Sequence, residues 1–128
     1  MRKKSNKTYK KQCDKLWADI IKLRAKNKCE MCRRVLPLQA HHIFGRKAMS
    51  TRYDLENGVA LCFNCHYNEA EQNSTKFGLW IIEKRGREWF DELNRRHNQI
   101  KKVDWEAMTE YLEREYKNAG KTNGKRAN

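Results

Sequence analysis

Apolar side chains recur at helical spacing over Leu16, Trp17, Ile20, Ile21 and Leu23, which predicts an amphipathic helix from Asp14 to about Lys26, with Asn27 as its C-terminal stop. The stretch 28–44 holds no long helical period. Val35-Leu36-Pro37-Leu38 and Ala40 to Phe44 read as short extended pieces, and Pro37, which has no N–H for a ladder, restricts its segment to a strand start or a sheet edge. Gly45 to Asn57 is polar and basic and reads as a long loop, after which Val59 to Leu61 returns as the second strand of a hairpin. The period then turns helical again. One helix is predicted from near Phe63 to about Gln72. A second, capped by Ser74 or Thr75, puts Phe77, Trp80 and Ile81 on one face and stops at Gly86. A third carries Trp89, Phe90 and Leu93 to about Asn98, and a last, capped by Asp104, repeats Trp105, Met108, Tyr111, Leu112 and Tyr116. These aromatic stripes are read as core packing. The fold class is α+β, a small hairpin centre surrounded by several helices, with no internal repeat and no Pro-rich linker.

Composition narrows this. With 38% hydrophobic and 35% charged residues in a chain of 128, one domain with a small core is expected. Such a chain buries only about two-thirds of its unfolded surface, so a metal or cross-link would help it. No apolar run approaches the ~18 residues that span a bilayer, which excludes an integral membrane protein. The basic start, residues 1–7, is followed by no apolar stretch, so no secretory leader is expected. The net charge of +13 is unevenly spread: residues 1–12 hold six basic side chains and 117–128 hold four, neither segment with an acid. Residues 13–60 carry ten basic and five acidic groups, and 61–116 carry nine and eleven. Acid-poor arms of this kind attract phosphate backbones. A membrane surface is the weaker partner, because no strongly amphipathic basic helix accompanies the arms.

The cysteines supply candidate chemistry. Four of the five form two pairs with two-residue spacers, Cys29-Glu-Met-Cys32 and Cys62-Phe-Asn-Cys65. Each spacer lets both thiolates point at one ion, and four thiolates suit a closed tetrahedral Zn²⁺ site, which is structural because no position remains open. The 29 residues between the pairs leave room for a hairpin and a loop. A redox pair would leave the second motif unexplained, and disulfides are disfavoured without a secretory leader. Cys13, on the apolar side of the first helix, reads as simply buried.

Three of the four histidines cluster with the second pair. His41 and His42 are adjacent on a predicted strand, so their side chains leave on opposite sides, and one can face a metal while the other faces a substrate. His66 follows Cys65 directly, in the first turn of a helix that the zinc would anchor, and the Asn57 amide can tie loop backbone together. His41-His42, Asn57 and Cys62-x-x-Cys65-His66, in this order between two knuckles, resemble the HNH endonuclease family over about residues 29–72. The resemblance implies a small ββα-metal, treble-clef-like centre. It further implies that His42 is the general base, that His41 and His66 are ligands of a catalytic divalent ion, and that Asn57, counted with the catalytic residues, helps hold the base or, as in some members, contacts the metal. Some relatives carry another histidine four residues beyond the last one; here Ala70 stands there, and further ligands are left to water or substrate phosphate. A site of His and water suits Mg²⁺, Mn²⁺ or Ni²⁺.

On this reading the chain divides into a basic arm (1–12), an N-terminal helix (13–28), the nuclease core with its knuckles (29–73), a helical part of the same domain (74–116) and a basic tail (117–128). Arg46, Lys47 and Arg52, in the loop between the halves of the motif, are candidate phosphate contacts. The segment Arg52-Tyr53-Asp54 and the run from Phe77 to Gly86 are more loosely similar to phage NinG-type recombination proteins, which implies a phage or prophage setting in the cytoplasm of a bacterial host. The expected function is metal-dependent hydrolysis of DNA, with non-specific or structure-dependent contacts and a possible homodimer. The competing reading is a non-catalytic zinc-ribbon module that binds nucleic acid.

Overall fold

The computed structural model describes the backbone of residues 4–127 and side chains from 4 to 121; the first residues of the basic arm and the side chains at the end of the basic tail lie outside the described residues. Helix α1 runs Asn6–Arg24, starting well before the expected Asp14. Ser5 Oγ accepts a hydrogen bond from the Thr8 N–H at 3.2 Å and caps the first turn, and residues 6–12 contain no helix breaker. Much of the basic arm is therefore helical. Lys26 and Asn27 at φ 57° and 64° end the helix, as the Asn27 stop anticipates.

The first knuckle follows, closed by a bridge between Lys28 and Val35 and turned at Arg33, φ 68°. Strand β1 (Leu38–His42), which Pro37 immediately precedes, pairs antiparallel with β2 (Gly58–Cys62), with Leu38 opposite Cys62 and His42 opposite Gly58. The long connection is not the plain loop expected: it holds a short helix α2 (Met49–Arg52) and a 3-10 turn (Leu55–Asn57), whose backbone Asp54 caps. After β2 the chain widens into a π-helix, Cys65–Glu71, where an ordinary helix was expected. Helix α3 (Ser74–Arg85) ends at Gly86, whose φ of +99° is readily available only to glycine. Its first residue is Ser74, and no side chain caps it. Helices α4 (Arg87–His97) and α5 (Trp105–Ala127) complete the chain, and Asp104 Oδ1 caps α5 through the Ala107 N–H at 3.2 Å.

Strand β2 is buried along its whole length because its two faces serve two cores. Ala60 faces Cys13, Trp17, Ile20, Ile21, Tyr53, Leu55 and Leu112, the layer made by α1 and α5. Val59 and Leu61 face the other way, onto the knuckle cysteines, Ala70, Phe77 and Ile81. The hairpin is thus a central plate, and the strand period of two sorts its side chains between an α1–α5 layer and a knuckle–α3 layer. Trp105 and Met108 pack against the first core, so the stripe of α5 is structural, while Tyr111 and Tyr116 remain partly exposed.

Candidate functional site

The two knuckles meet as their spacing predicts. The sulfurs of Cys29, Cys32, Cys62 and Cys65 all lie within 4.8 Å of one another, with Cys32 and Cys62 Sγ 3.8 Å apart and no disulfide formed. A tetrahedral Zn²⁺ with Zn–S near ~2.3 Å sets its sulfurs about 3.8 Å apart, so four soft donors stand at the right spacing for such an ion. Burial pushes the Cys29 thiol up, but backbone groups of Cys32, Cys62 and Met31, with the Cys32 thiol, outweigh it and bring it down to about 6. Burial and the neighbouring thiols hold Cys65 well above the ordinary range. One ready thiolate beside crowded thiols is an arrangement that a cation relieves. Cys13 lies apart, fully buried, with its sulfur 3.4 Å from Thr109 Oγ1.

Alternation along β1 separates the two adjacent histidines. His41 turns to the knuckle side, where its ring meets Phe77 edge-on at 5.3 Å and its Nδ1 stands 3.1 Å from His66 Nε2. Burial, and then the neighbouring His66 and His42, bring the His41 pKa down to about 4. It is therefore the neutral imidazole that a metal requires. Two nitrogens coordinated at ~2.1 Å to one ion sit roughly 3.0–3.4 Å apart, so this pair can close on a single cation.

His42 turns the other way and stacks flat on Trp17 of α1, ring centroids 3.8 Å apart and planes within 7°. Its Nε2 lies 2.9 Å from the Arg52 carbonyl oxygen. A carbonyl only accepts, so Nε2 carries the proton and Nδ1 keeps its lone pair. Burial holds the His42 pKa below its ordinary value despite the carbonyl hydrogen bond. The ring is thus fixed in one tautomer and one plane, with a free basic nitrogen.

What holds the Arg52 carbonyl is equally specific. Arg52 Nε and Nη2 donate to the two carboxylate oxygens of Asp14 at 2.9 and 2.8 Å, and Nη1 donates to the Arg46 carbonyl at 3.1 Å. The Arg52 side chain is only 12% exposed, so its guanidinium is engaged in bracing α2 against α1, whereas Arg46 and Lys47 are exposed. Asn57 is fully buried. Its Nδ2 donates to the carbonyls of Phe44 (2.9 Å) and Thr51 (3.0 Å), and its Oδ1 accepts from the Phe44 N–H at 2.7 Å. It ties together both ends of the connection between the strands. From the far side, His97 at the end of α4 stacks on Phe44 at 4.6 Å and pairs through Nδ1 with Thr51 Oγ1 at 3.1 Å, which makes the fourth histidine a brace.

Three residues beside the site escape a linear reading: Trp17 behind His42, Asp14 behind Arg52, and Glu71, whose Oε1 lies 3.5 Å from His66 Nε2. Trp17 is recognisable in the sequence as an apolar helix position, but its partner is not, since the contact spans from α1 to β1.

A family model described as HNH endonuclease matches residues 29–72. That interval holds both knuckles, the hairpin, the connection and the π-helix, and it ends before α3, so the looser likeness of residues 77–86 to NinG-type proteins lies outside it. No curated protein and no solved structure matches the chain.

Proposed function

With an HNH endonuclease domain over residues 29–72 as premise, we propose that the protein is a metal-dependent nuclease that hydrolyses phosphodiester bonds in DNA. The observation that carries this reading is His42: Nε2–H committed to the Arg52 carbonyl at 2.9 Å, ring clamped on Trp17, Nδ1 left basic. A hydrolytic base needs a fixed tautomer and a lone pair aimed at water, and a histidine neutral at pH 7 supplies it. His42 Nδ1 takes the proton of the attacking water. His41 and His66 hold the divalent ion, for which Mg²⁺, Mn²⁺ and Ni²⁺ are candidates. When bound, that ion supplies Lewis-acid stabilisation of the charged phosphorus centre and of the departing oxygen. Asn57 positions rather than reacts, by holding the backbone on which the Arg52 carbonyl stands.

The four cysteines bind zinc in this reading, and Arg46 and Lys47 offer the exposed charge for the phosphates flanking the scissile bond. Arg52 contributes there mainly by orienting its own carbonyl. The surplus of positive charge supports DNA as the substrate polymer. A phage or prophage role in DNA processing in the bacterial cytoplasm is part of this proposal, although the family match stops at residue 72 and lends no support to the likeness with NinG-type proteins. No helix among the described residues is long and apolar enough to cross a membrane. A homodimer would let two such centres cut both strands.

The test is nicking of supercoiled plasmid by the zinc-loaded protein with Mg²⁺, Mn²⁺ or Ni²⁺, with and without EDTA. His42→Ala is expected to slow nicking by about 10²–10⁴-fold while leaving zinc content and melting behaviour close to those of the parent. DNA binding without nicking under any of the three metals would instead make the chain a zinc-dependent binding module.

A further inference from the structure

The position where a third protein ligand would be sought, four residues after His66, is Ala70, which is buried and has no ligand atom. The backbone offers another. Residues Cys65–Glu71 are wound as a π-helix, and the Gln72 N–H reaches back five residues to the Tyr67 carbonyl at 3.2 Å. In an α-helix the side chain beside residue i is i+3 or i+4; the wider turn brings i+5 over i. Five after His66 is Glu71, and its Oε1 lies 3.5 Å from His66 Nε2. The same nitrogen lies 3.1 Å from His41 Nδ1. The histidine separation is that of two ligands of one ion, roughly 3.0–3.4 Å for bonds near ~2.1 Å, and Glu71 stands just beyond that range, within reach of a small side-chain rotation.

Glu71, like several other acids of this chain, is not engaged by a lysine or arginine among the described residues, despite a net charge of +13. Asp14, Asp54, Glu30 and Glu92, by contrast, each pair with an arginine. Its side chain is 48% exposed, which leaves it rotational freedom to turn toward the histidine pair.

The geometry points to Glu71 as the third protein ligand of the divalent ion held by His41 and His66, brought to the site by the π-helical turn. The inference rests on the nuclease reading above. A carboxylate added to two neutral imidazoles contributes a full negative charge and a hard oxygen donor. That favours Mg²⁺ and Mn²⁺ over softer ions and leaves the remaining positions for phosphate and water.

The full chain, loaded with one equivalent of zinc, is titrated with Mn²⁺ and the free ion is followed by its electron paramagnetic resonance signal. Wild type, His41→Ala, Glu71→Gln and Glu69→Gln are compared, with zinc content and circular-dichroism melting recorded for each. Glu71→Gln keeps size and hydrogen-bonding capacity but removes the charged ligand. It is expected to weaken Mn²⁺ binding at least about tenfold, in the direction of His41→Ala, while Glu69→Gln leaves it unchanged. If Glu71→Gln, folded and zinc-loaded, binds Mn²⁺ within twofold of wild type and nicks plasmid equally well, Glu71 is a surface neighbour of His66 and the inference falls while the nuclease reading stands. If wild type neither takes up Mn²⁺ nor nicks plasmid, both fall together.

Discussion

Asn57 shows how much one side chain can hold. It sits in the connection between the strands with its whole amide spent on backbone, two carbonyls and one N–H. Replacing it by alanine strands buried polar groups without shifting any charge. Asn57→Ala is expected to cost about 1–3 kcal/mol in urea unfolding and to slow nicking even where the variant remains folded, because the Arg52 carbonyl loses its fixed position. Its buried, bonding role is legible in the sequence, since an amide between a basic loop and a strand has few other uses. The cysteines and histidines are legible for a similar reason: ligands close in sequence share one ion, so their spacing is itself a geometric statement. Asp14 and Trp17 are not. Their contacts reach from the first helix to residues 52 and 42, and nothing local in the chain encodes which charge or ring they meet.

Among the elements, the seating of α1 on the hairpin depends on a missing side chain. A Cβ at Gly58 would lie 2.6 Å from Ile21 Cγ1 and 2.8 Å from Trp17 Cζ2. Gly58 faces His42 across the ladder, so the glycine that admits α1 also admits the indole on which His42 stacks. Gly58→Ala is expected to destabilise the fold by about 1–3 kcal/mol through overpacking, measured by denaturant unfolding, and to reduce nicking beyond the loss explained by unfolded protein. Both strands and all five longer helical segments follow from periodicity, because burial on one face imposes the period. The starts and inner winding do not. Ser5 caps α1 several residues before its first apolar position, so a pattern of burial alone begins the helix late. The π-turn after Cys65 leaves no mark that a search for period 3.6 can find, and the contact of His66 with Glu71 is hidden with it.

For the molecule as a whole, zinc and core are parts of one structure: the knuckle cysteines form a wall of the second core, together with Val59, Leu61, Phe77 and Ile81. Removing the metal with a strong chelator is expected to lower the thermal transition markedly and to expose four fast-reacting thiols to a thiol reagent, with Cys13 in the other core reacting only on full unfolding. Burial raises the Cys13 pKa, its hydrogen bond to Thr109 opposing. A thiol raised in the folded state binds more protons there than in the unfolded chain. Its contribution to stability is therefore present below the ordinary thiol pKa of about 8.5 and is lost as pH rises past it. The +13 charge, which in the sequence points only toward an anionic partner, acquires positions in the fold: much of the N-terminal share rides on α1, and the C-terminal share on the end of α5.

These two helices run in the same direction. Tyr9 stacks on Trp105, Cys13 meets Thr109, and Arg24, at the other end of α1, reaches Glu115. Lys7 and Lys10 consequently stand toward one end of the pair, and Lys121 toward the other. Along α5, Lys121 lies 16 residues beyond Trp105, which is level with Tyr9, a rise of about 24 Å at ~1.5 Å per residue. Along one strand of a duplex, at ~3.4 Å per phosphate, that is roughly seven nucleotides. On the nuclease reading proposed above, two cationic ends at that span would not converge on a single phosphate but would bracket a stretch of backbone short of one helical turn.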